Sequence, residues 1–194
     1  YVVFIEGDDY WTNLYKLQKQ VDFLDQNPSA SACFHNAEIL FEDGSNKPNQ
    51  IINTPNQAKW TYTKDFFKEK ETWFMATASV MMRRKFVNPL PNWFVDCKSG
   101  DIPMYVILSE NGPIGYLAET MSIYRKNLGG QSFTDSNTSK AFLQNRIFMY
   151  SMLNQYTKYQ YIHLINSILA EYHELLIHCI EHKESFIKKI YHFY

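Results

Sequence analysis

Three carboxylates stand close together near the start of the chain, in the string Glu6-Gly7-Asp8-Asp9. They follow Tyr1-Val2-Val3-Phe4-Ile5, an apolar, β-prone run without alternation, and such a run predicts a strand buried on both faces, as in a parallel sheet. The C-terminal end of a strand of that kind is where open α/β sheets bind ligands. Hard oxygen donors at that place suit Mg²⁺ or Mn²⁺, above all a metal shared with a diphosphate. Magnesium takes only one or two protein carboxylates and completes its shell with phosphate and water. The same residues equally suit a polar strand-to-helix turn whose charges complement the dipole of the next helix. A further carboxylate, Asp101, follows Gly100 and precedes the apolar Ile102-Pro103-Met104. It could act as a general base toward a hydroxyl within hydrogen-bonding reach, or serve as an ordinary helix N-cap.

The elements that must position these groups can be read from periodicity and breakers. Thr12 can cap a helix running to about Asn27, with Leu14, Leu17, Val21 and Leu24 on its buried face and Pro28 beyond its end. Residues 31–41 read as a strand, and Glu42-Asp43-Gly44-Ser45 through Pro55 as a turn-rich loop. The segment 64–71 suggests a short helix, and 73–82 another buried strand closed by Arg83-Arg84-Lys85. Asp101, with Pro103 close behind, caps a helix through Leu108 that Asn111-Gly112 stops. Residues 114–124 form one or two last strands, and from Ser139 onward two or three long amphipathic helices follow. All seven Pro lie at or before Pro113 and all seven Gly at or before Gly130, so the composition itself divides the chain. The expected class is α/β, a mixed sheet flanked by helices and followed by an α-helical extension.

At 194 residues and 45% hydrophobic content the chain can bury a core without a disulfide or a structural metal. A net charge of −1 and a pI near 6.6 supply no field for collecting phosphodiester backbones, which argues against a nucleic-acid binder. Cys33, Cys97 and Cys179 are odd in number and far apart, as befits a reducing compartment. No apolar run reaches the ~20 residues that a membrane-spanning helix needs. These features predict a cytoplasmic protein.

Several further strings, taken in order, resemble family 2 glycosyltransferases. They are Phe4-Ile5-Glu6-Gly7-Asp8-Asp9-Tyr10-Trp11 with Lys16-Leu17-Gln18-Lys19-Gln20, Cys33-Phe34-His35-Asn36, Thr77-Ala78-Ser79-Val80, Gly100-Asp101-Ile102-Pro103, and Ile114-Gly115-Tyr116 leading to Tyr124-Arg125-Lys126-Asn127. The resemblance spans roughly residues 1–132 and implies part of a GT-A domain that begins at the strand before the D-x-D motif. The nucleotide-binding strands would then precede Tyr1, and 133–194 would be a helical extension. It also implies transfer of a sugar from a nucleotide-diphosphate donor, with UDP one candidate nucleotide, to a saccharide or lipid-linked saccharide acceptor. Inversion and dependence on Mn²⁺ or Mg²⁺ come with it, in cell-surface polysaccharide, lipopolysaccharide or glycoprotein synthesis.

Under that resemblance Asp8 holds the metal, with Glu6 at the first position of the motif and Asp9 beside it. Asp101 is the base, Thr77 and Ser79 border the acceptor with Trp93 in the preceding loop, and Arg125 and Asn127 contact donor phosphate. Many relatives carry His where this chain has Asn127. A fragment lacking the nucleoside pocket is expected to bind nucleotide sugar weakly by itself. Two other classes compete with the transferase: a non-catalytic module whose helices bind a partner, and a metal-dependent hydrolase of nucleotide diphosphates.

The C-terminal helices carry His163, His173, His178, His182 and His192. His173-Glu174 does not make a zinc-protease helix, since the next His comes five residues on rather than four. His178 and His182 have a suitable step but lack an identified third ligand. The apolar stripe from Ile162 to Tyr191 is expected to pack on the α/β part or to form a homodimer contact. Lys183, Lys188 and Lys189 would allow peripheral contact with the inner face of an anionic membrane.

Overall fold

A computed structural model describes residues 1–68, 73–128 and 139–191, with the side chains of 181–191 outside the description. The chain is α/β, with seven strands in one mixed sheet and four α-helices among the described residues. The strands are β1 (Val2–Val3), β2 (Tyr10–Trp11), β3 (Ala32–Glu42), β4 (Gln50–Ile51), β5 (Trp60–Thr61), β6 (Val80–Met82) and β7 (Ile114–Asn127). The helices are α1 (Lys16–Gln26), α2 (Asp101–Ser109), α3 (Lys140–Tyr156) and α4 (Ile162–Tyr191).

The sheet runs in the order β1-β6-β3-β7-β2. Its centre is the long parallel pair β3 and β7, which carries register shifts on either side of Asn36. Asn36 compensates for the break in the ladder: its Oδ1 accepts from the backbone N–H groups of Ala37 (3.0 Å) and Asn53 (2.9 Å), and its Nδ2 donates to the Asn53 carbonyl (2.9 Å). A buried amide satisfied in this way fixes the loop after β4 against the sheet. β1 departs from the sequence expectation. It is only two residues long and pairs antiparallel to β6 at the sheet edge, with Phe4 and Ile5 exposed beyond it.

One face of the sheet is covered by α1. The predicted buried face of this helix is corrected: Leu14 is 99% exposed and Leu17 is also exposed, whereas the buried residues are Lys16, Gln20 and Leu24. Leu14 lies outside the helix, which starts four residues later than Thr12, at Lys16. Gln20 is buried because its Nε2 donates to the Ser79 carbonyl at 2.8 Å. The far end of α1 is closed by Arg83, whose Nε donates to the Ala30 carbonyl (2.8 Å) and whose Nη2 donates to the carbonyls of Leu24 (2.7 Å) and Asn27 (3.3 Å).

Lys16 has no hydrogen-bond partner at Nζ, which lies 4.2 Å from the centre of the Trp11 ring. Burial lowers its pKa from 10.5 to about 8. Between those values the unfolded chain holds the proton that the folded chain has released, so stability rises with pH through that window. Denaturant titrations from pH 8 to 10.5 should show this rise in the wild type and lose this contribution in Lys16→Met. Equal slopes in the two proteins would contradict it.

The opposite face carries the main core, in which Phe34, Val80 and Ile114 of the sheet meet Met104, Tyr105 and Leu108 of α2. Met149, Tyr150 and Leu153 of α3 and Ile165 and Ile168 of α4 belong to the same cluster. The C-terminal helices therefore complete the core of the α/β part, which is one of the two roles expected for the apolar stripe. Ser139 caps α3 by accepting from the Phe142 N–H at 3.2 Å, as the sequence suggests. Gly112 ends the turn after α2 with φ of +150°, where an added Cβ would lie 2.3 Å from the Ser29 carbonyl oxygen. His192 and part of the expected helix at 64–71 lie outside the described residues, as do the side chains of His182, Lys183, Lys188 and Lys189; a 3-10 turn spans Thr63–Phe66.

Candidate functional site

The segment 73–82 is not one strand. Residues 73–76 are irregular, a 3-10 turn spans Thr77–Ser79, and only then does the chain enter β6. Two side chains from the α1 face hold this turn by its carbonyls: Trp11 Nε1 donates to Ala78 at 3.1 Å, and Gln20 donates to Ser79. Inside the turn the Ser79 hydroxyl donates to the Ala76 carbonyl at 2.7 Å. Ser79 is fully buried, so its hydroxyl shapes the turn and is not presented to an acceptor.

Thr77 is turned the other way. Its Oγ1 lies 3.1 Å from Asp101 Oδ1 and 3.4 Å from Glu6 Oε1. The structure thus joins the first acidic residue after β1 to the carboxylate at the start of α2. Gly100, not Asp101, is the N-cap of α2, so Asp101 is the first helical residue and its carboxylate points to Thr77 instead of closing its own helix. One turn further along α2, Tyr105 is buried and donates its hydroxyl to the Met75 carbonyl at 3.2 Å. Tyr105 carries no polar signal in an apolar helix and was not selected from sequence; its spacing of four from Asp101 is the only cue.

Burial raises the pKa of three of these carboxylates, Glu6, Asp9 and Asp101. Loss of water raises Glu6 above its usual range, and repulsion from Asp101, Asp9 and Asp8 adds to it. Burial also raises Asp101, against the opposing pull of the Thr77 hydroxyl and the Trp73 indole N–H. Asp9 is raised by burial and opposed by the Arg125 N–H, which donates to its Oδ1 at 3.0 Å, while its Oδ2 is buried without a partner. The repulsion felt at Glu6 and Asp9 is of the kind that a cation relieves.

Arg125 and Asn127 come to the same acidic turn from the end of β7. Asn127 Nδ2 donates to Asp8 Oδ2 at 3.0 Å, and Arg125 Nη1 donates to the Asp8 carbonyl at 3.2 Å. The rest of the Arg125 guanidinium pairs with Glu42, at 2.7 Å from Nε and 2.5 Å from Nη2. Asn127 therefore orients the Asp8 carboxylate, and Arg125 holds Asp9 and the Asp8 backbone. Among the described residues no group of three His, Cys, Asp or Glu side chains converges closely enough to enclose a metal by itself. The arrangement fits a hard cation that draws one or two ligands from the protein, with Asp8 oriented from behind by an amide.

Trp93 stands apart from this group. Its ring packs edge-on against Tyr156 at the end of α3, with centroids 6.1 Å apart, and tilts against Phe94 at 6.4 Å. The aromatic side chain beside Asp101 is Trp73, and its ring lies 5.1 Å from that of Tyr124, the residue preceding Arg125.

No protein-family model matches the chain. Curated relatives include uncharacterized proteins of Mycobacterium tuberculosis and Mycobacterium bovis, each 32% identical over 145 residues, a stretch that covers 70% of this chain and 38% of the relative. The chain thus spans well under half the length of the proteins it is similar to.

Proposed function

We propose that the chain is part of a glycosyltransferase of the GT-A type. It would move a sugar from a nucleotide-diphosphate donor to an acceptor hydroxyl with inversion, in the assembly of cell-surface saccharides. The observation that carries this reading is the contact of one hydroxyl, Thr77 Oγ1, with both Glu6 and Asp101. An acid turn suited to a diphosphate-bound metal and a carboxylate suited to a base then lie on either side of a single reacting centre.

In this reading Asp8 is the metal ligand, and Glu6 and Asp9 complete the acidic surround. A bound Mn²⁺ or Mg²⁺ would supply charge neutralisation for the departing diphosphate. Asp101 takes the proton of the acceptor hydroxyl as that oxygen forms its bond to the anomeric carbon. The bond from that carbon to the diphosphate oxygen breaks, and its electron pair leaves with the diphosphate. Thr77 holds the Asp101 carboxylate toward the centre, and Asn127 and Arg125 hold the turn that carries Asp8.

The metal arm can be tested without a substrate. Titrating Mn²⁺ into the ¹⁵N-labelled chain should broaden the backbone resonances around Asp8 first. Asp8→Asn should abolish that response, and Asn127→Ala should weaken it by about tenfold, the usual cost of losing a partner behind a ligand. Broadening centred elsewhere, or unchanged in Asp8→Asn, would remove the metal assignment. Release of free sugar with no glycosylated acceptor would favour a hydrolase built on the same residues.

A further inference from the structure

Trp73 begins the irregular segment that leads to the Thr77–Ser79 turn. Thr77 and the Met75 carbonyl both meet α2, at Asp101 and at Tyr105. Met75 is buried in the core, as is much of Phe74, whose ring stacks on Phe66 and meets Phe34 edge-on. Trp73 differs from both. The residue is 37% exposed, its indole N–H leans toward the Asp101 carboxyl, and its ring meets Tyr124 at 5.1 Å. A large apolar face left partly open to water beside a half-buried carboxylate is a surface of mixed character. The ligands that match it carry an apolar patch and hydroxyls on one small rigid body.

A pyranose ring is such a body: one of its faces is largely C–H, and its rim is hydroxyl. We infer that Trp73 is the platform for the acceptor, a pyranoside that lays its C–H face on the indole and directs one hydroxyl to Asp101. The inference rests on the transferase reading and assigns the acceptor side of that site to Trp73 in place of Trp93. Tyr124 backs the indole and ties it to the strand that holds Asp8 and Asp9, so the platform and the acidic turn share a support. Lipid or peptide acceptors without a sugar would lack the flat C–H face that this arrangement selects.

The four tryptophans give four indole N–H resonances in the ¹⁵N-labelled chain, and Trp73→Phe identifies the one from Trp73. Methyl glycosides of glucose, galactose, rhamnose and N-acetylglucosamine are the probes. At least one should shift the Trp73 signal saturably while the Trp93 signal stays in place. Trp73→Leu should weaken that glycoside by about tenfold, as removal of an aromatic stacking surface does, and Trp73→Phe should retain most of the affinity. Far-UV circular dichroism confirms that both variants are folded; wild-type shifts decide the matter if either is not. A silent Trp73 signal with every glycoside, or a response confined to Trp93, would overturn the inference. The Mn²⁺ titration separates it from the reading beneath it. Glycoside shifts at Trp73 without any metal response at Asp8 would leave the saccharide site standing and remove the transferase, whereas a metal response with a silent Trp73 would remove the platform alone.

Discussion

Asp101→Asn should lower sugar transfer by about 100- to 10,000-fold, the range expected when a general base is lost, without loss of the fold. The variant keeps the shape of the side chain and one oxygen for the Thr77 hydroxyl, and it removes a charge that the protein holds at a cost in desolvation. Thermal unfolding should therefore stay level or rise while turnover falls. The measurement, made on the full-length protein, is release of UDP from UDP-sugars with Mn²⁺ and a saccharide acceptor, run beside a melting curve on the same preparation. Turnover equal to that of the wild type would end the assignment of Asp101 as the base. A fall in turnover together with a fall in melting temperature would point to a structural role for the carboxylate. The expected split between rate and stability distinguishes a residue that reacts from one that packs.

The second large effect concerns Arg83. Its guanidinium donates to the carbonyls of Leu24, Asn27 and Ala30 at and beyond the end of α1, where Leu24 and Asn27 each accept one further bond, from the backbone N–H groups of Asn27 and Ala30. Arg83→Ala removes these three charge-assisted bonds, leaving the Leu24 and Asn27 carbonyls with one backbone donor each. Two of the bonds are short, and a loss of about 3 kcal/mol follows from the usual worth of hydrogen bonds to charged groups. In a chain of this size that corresponds to a fall in melting temperature of roughly 6 to 12 °C. Arg83→Lys should recover only a part, because one ammonium cannot fork to several carbonyls in the same geometry. Urea denaturation with an unchanged midpoint would contradict the assignment of Arg83 as the clamp of α1.

How far these features could be read in advance depended on what each residue answers to. The strand at 31–41, the helix after Asp101 and the start of α3 at Ser139 follow local chemistry, in the form of a stretch between turn signals that holds Phe34, Ile39 and Phe41, a proline near a helix start and a serine at the head of a helical pattern. The buried face of α1 does not. A pattern of leucines at three- and four-residue steps fitted the face through Leu14 and Leu17, but the carbonyl of Ser79 and the indole of Trp11 lie on the other side. They draw in Gln20 and Lys16, polar residues that a hydrophobic pattern places outside. Distant backbone acceptors are invisible to periodicity.

The site divides along the same line. Glu6, Asp8, Asp9 and Asp101 could be selected because carboxylates in turns and at helix starts announce themselves by type. The role of Thr77 as the contact between Glu6 and Asp101 depends on a turn whose orientation is set by Trp11 and Gln20. Trp73 and Trp93 look alike in sequence and are separated only by their neighbours, Tyr124 in one case and Tyr156 in the other.

The pairing of β3 with β7 bears on the order of events during synthesis. Cys33 lies opposite Gly115 and Glu42 opposite Asn127, so the strand that flanks β3 at the centre of the sheet is the last of the seven to leave the ribosome. Until it emerges, β3 can hold only β6 and β4 along one side, and its other side is an open ladder of amides and carbonyls. Closing that ladder means bringing together segments separated by most of the α/β part. Parallel pairings over such distances form slowly, since the entropy of the loop is spent before any contact is gained. A nascent chain carrying β3 therefore has an interval in which a chaperone, or the edge of another copy, can reach the middle of its sheet before its own last strand does.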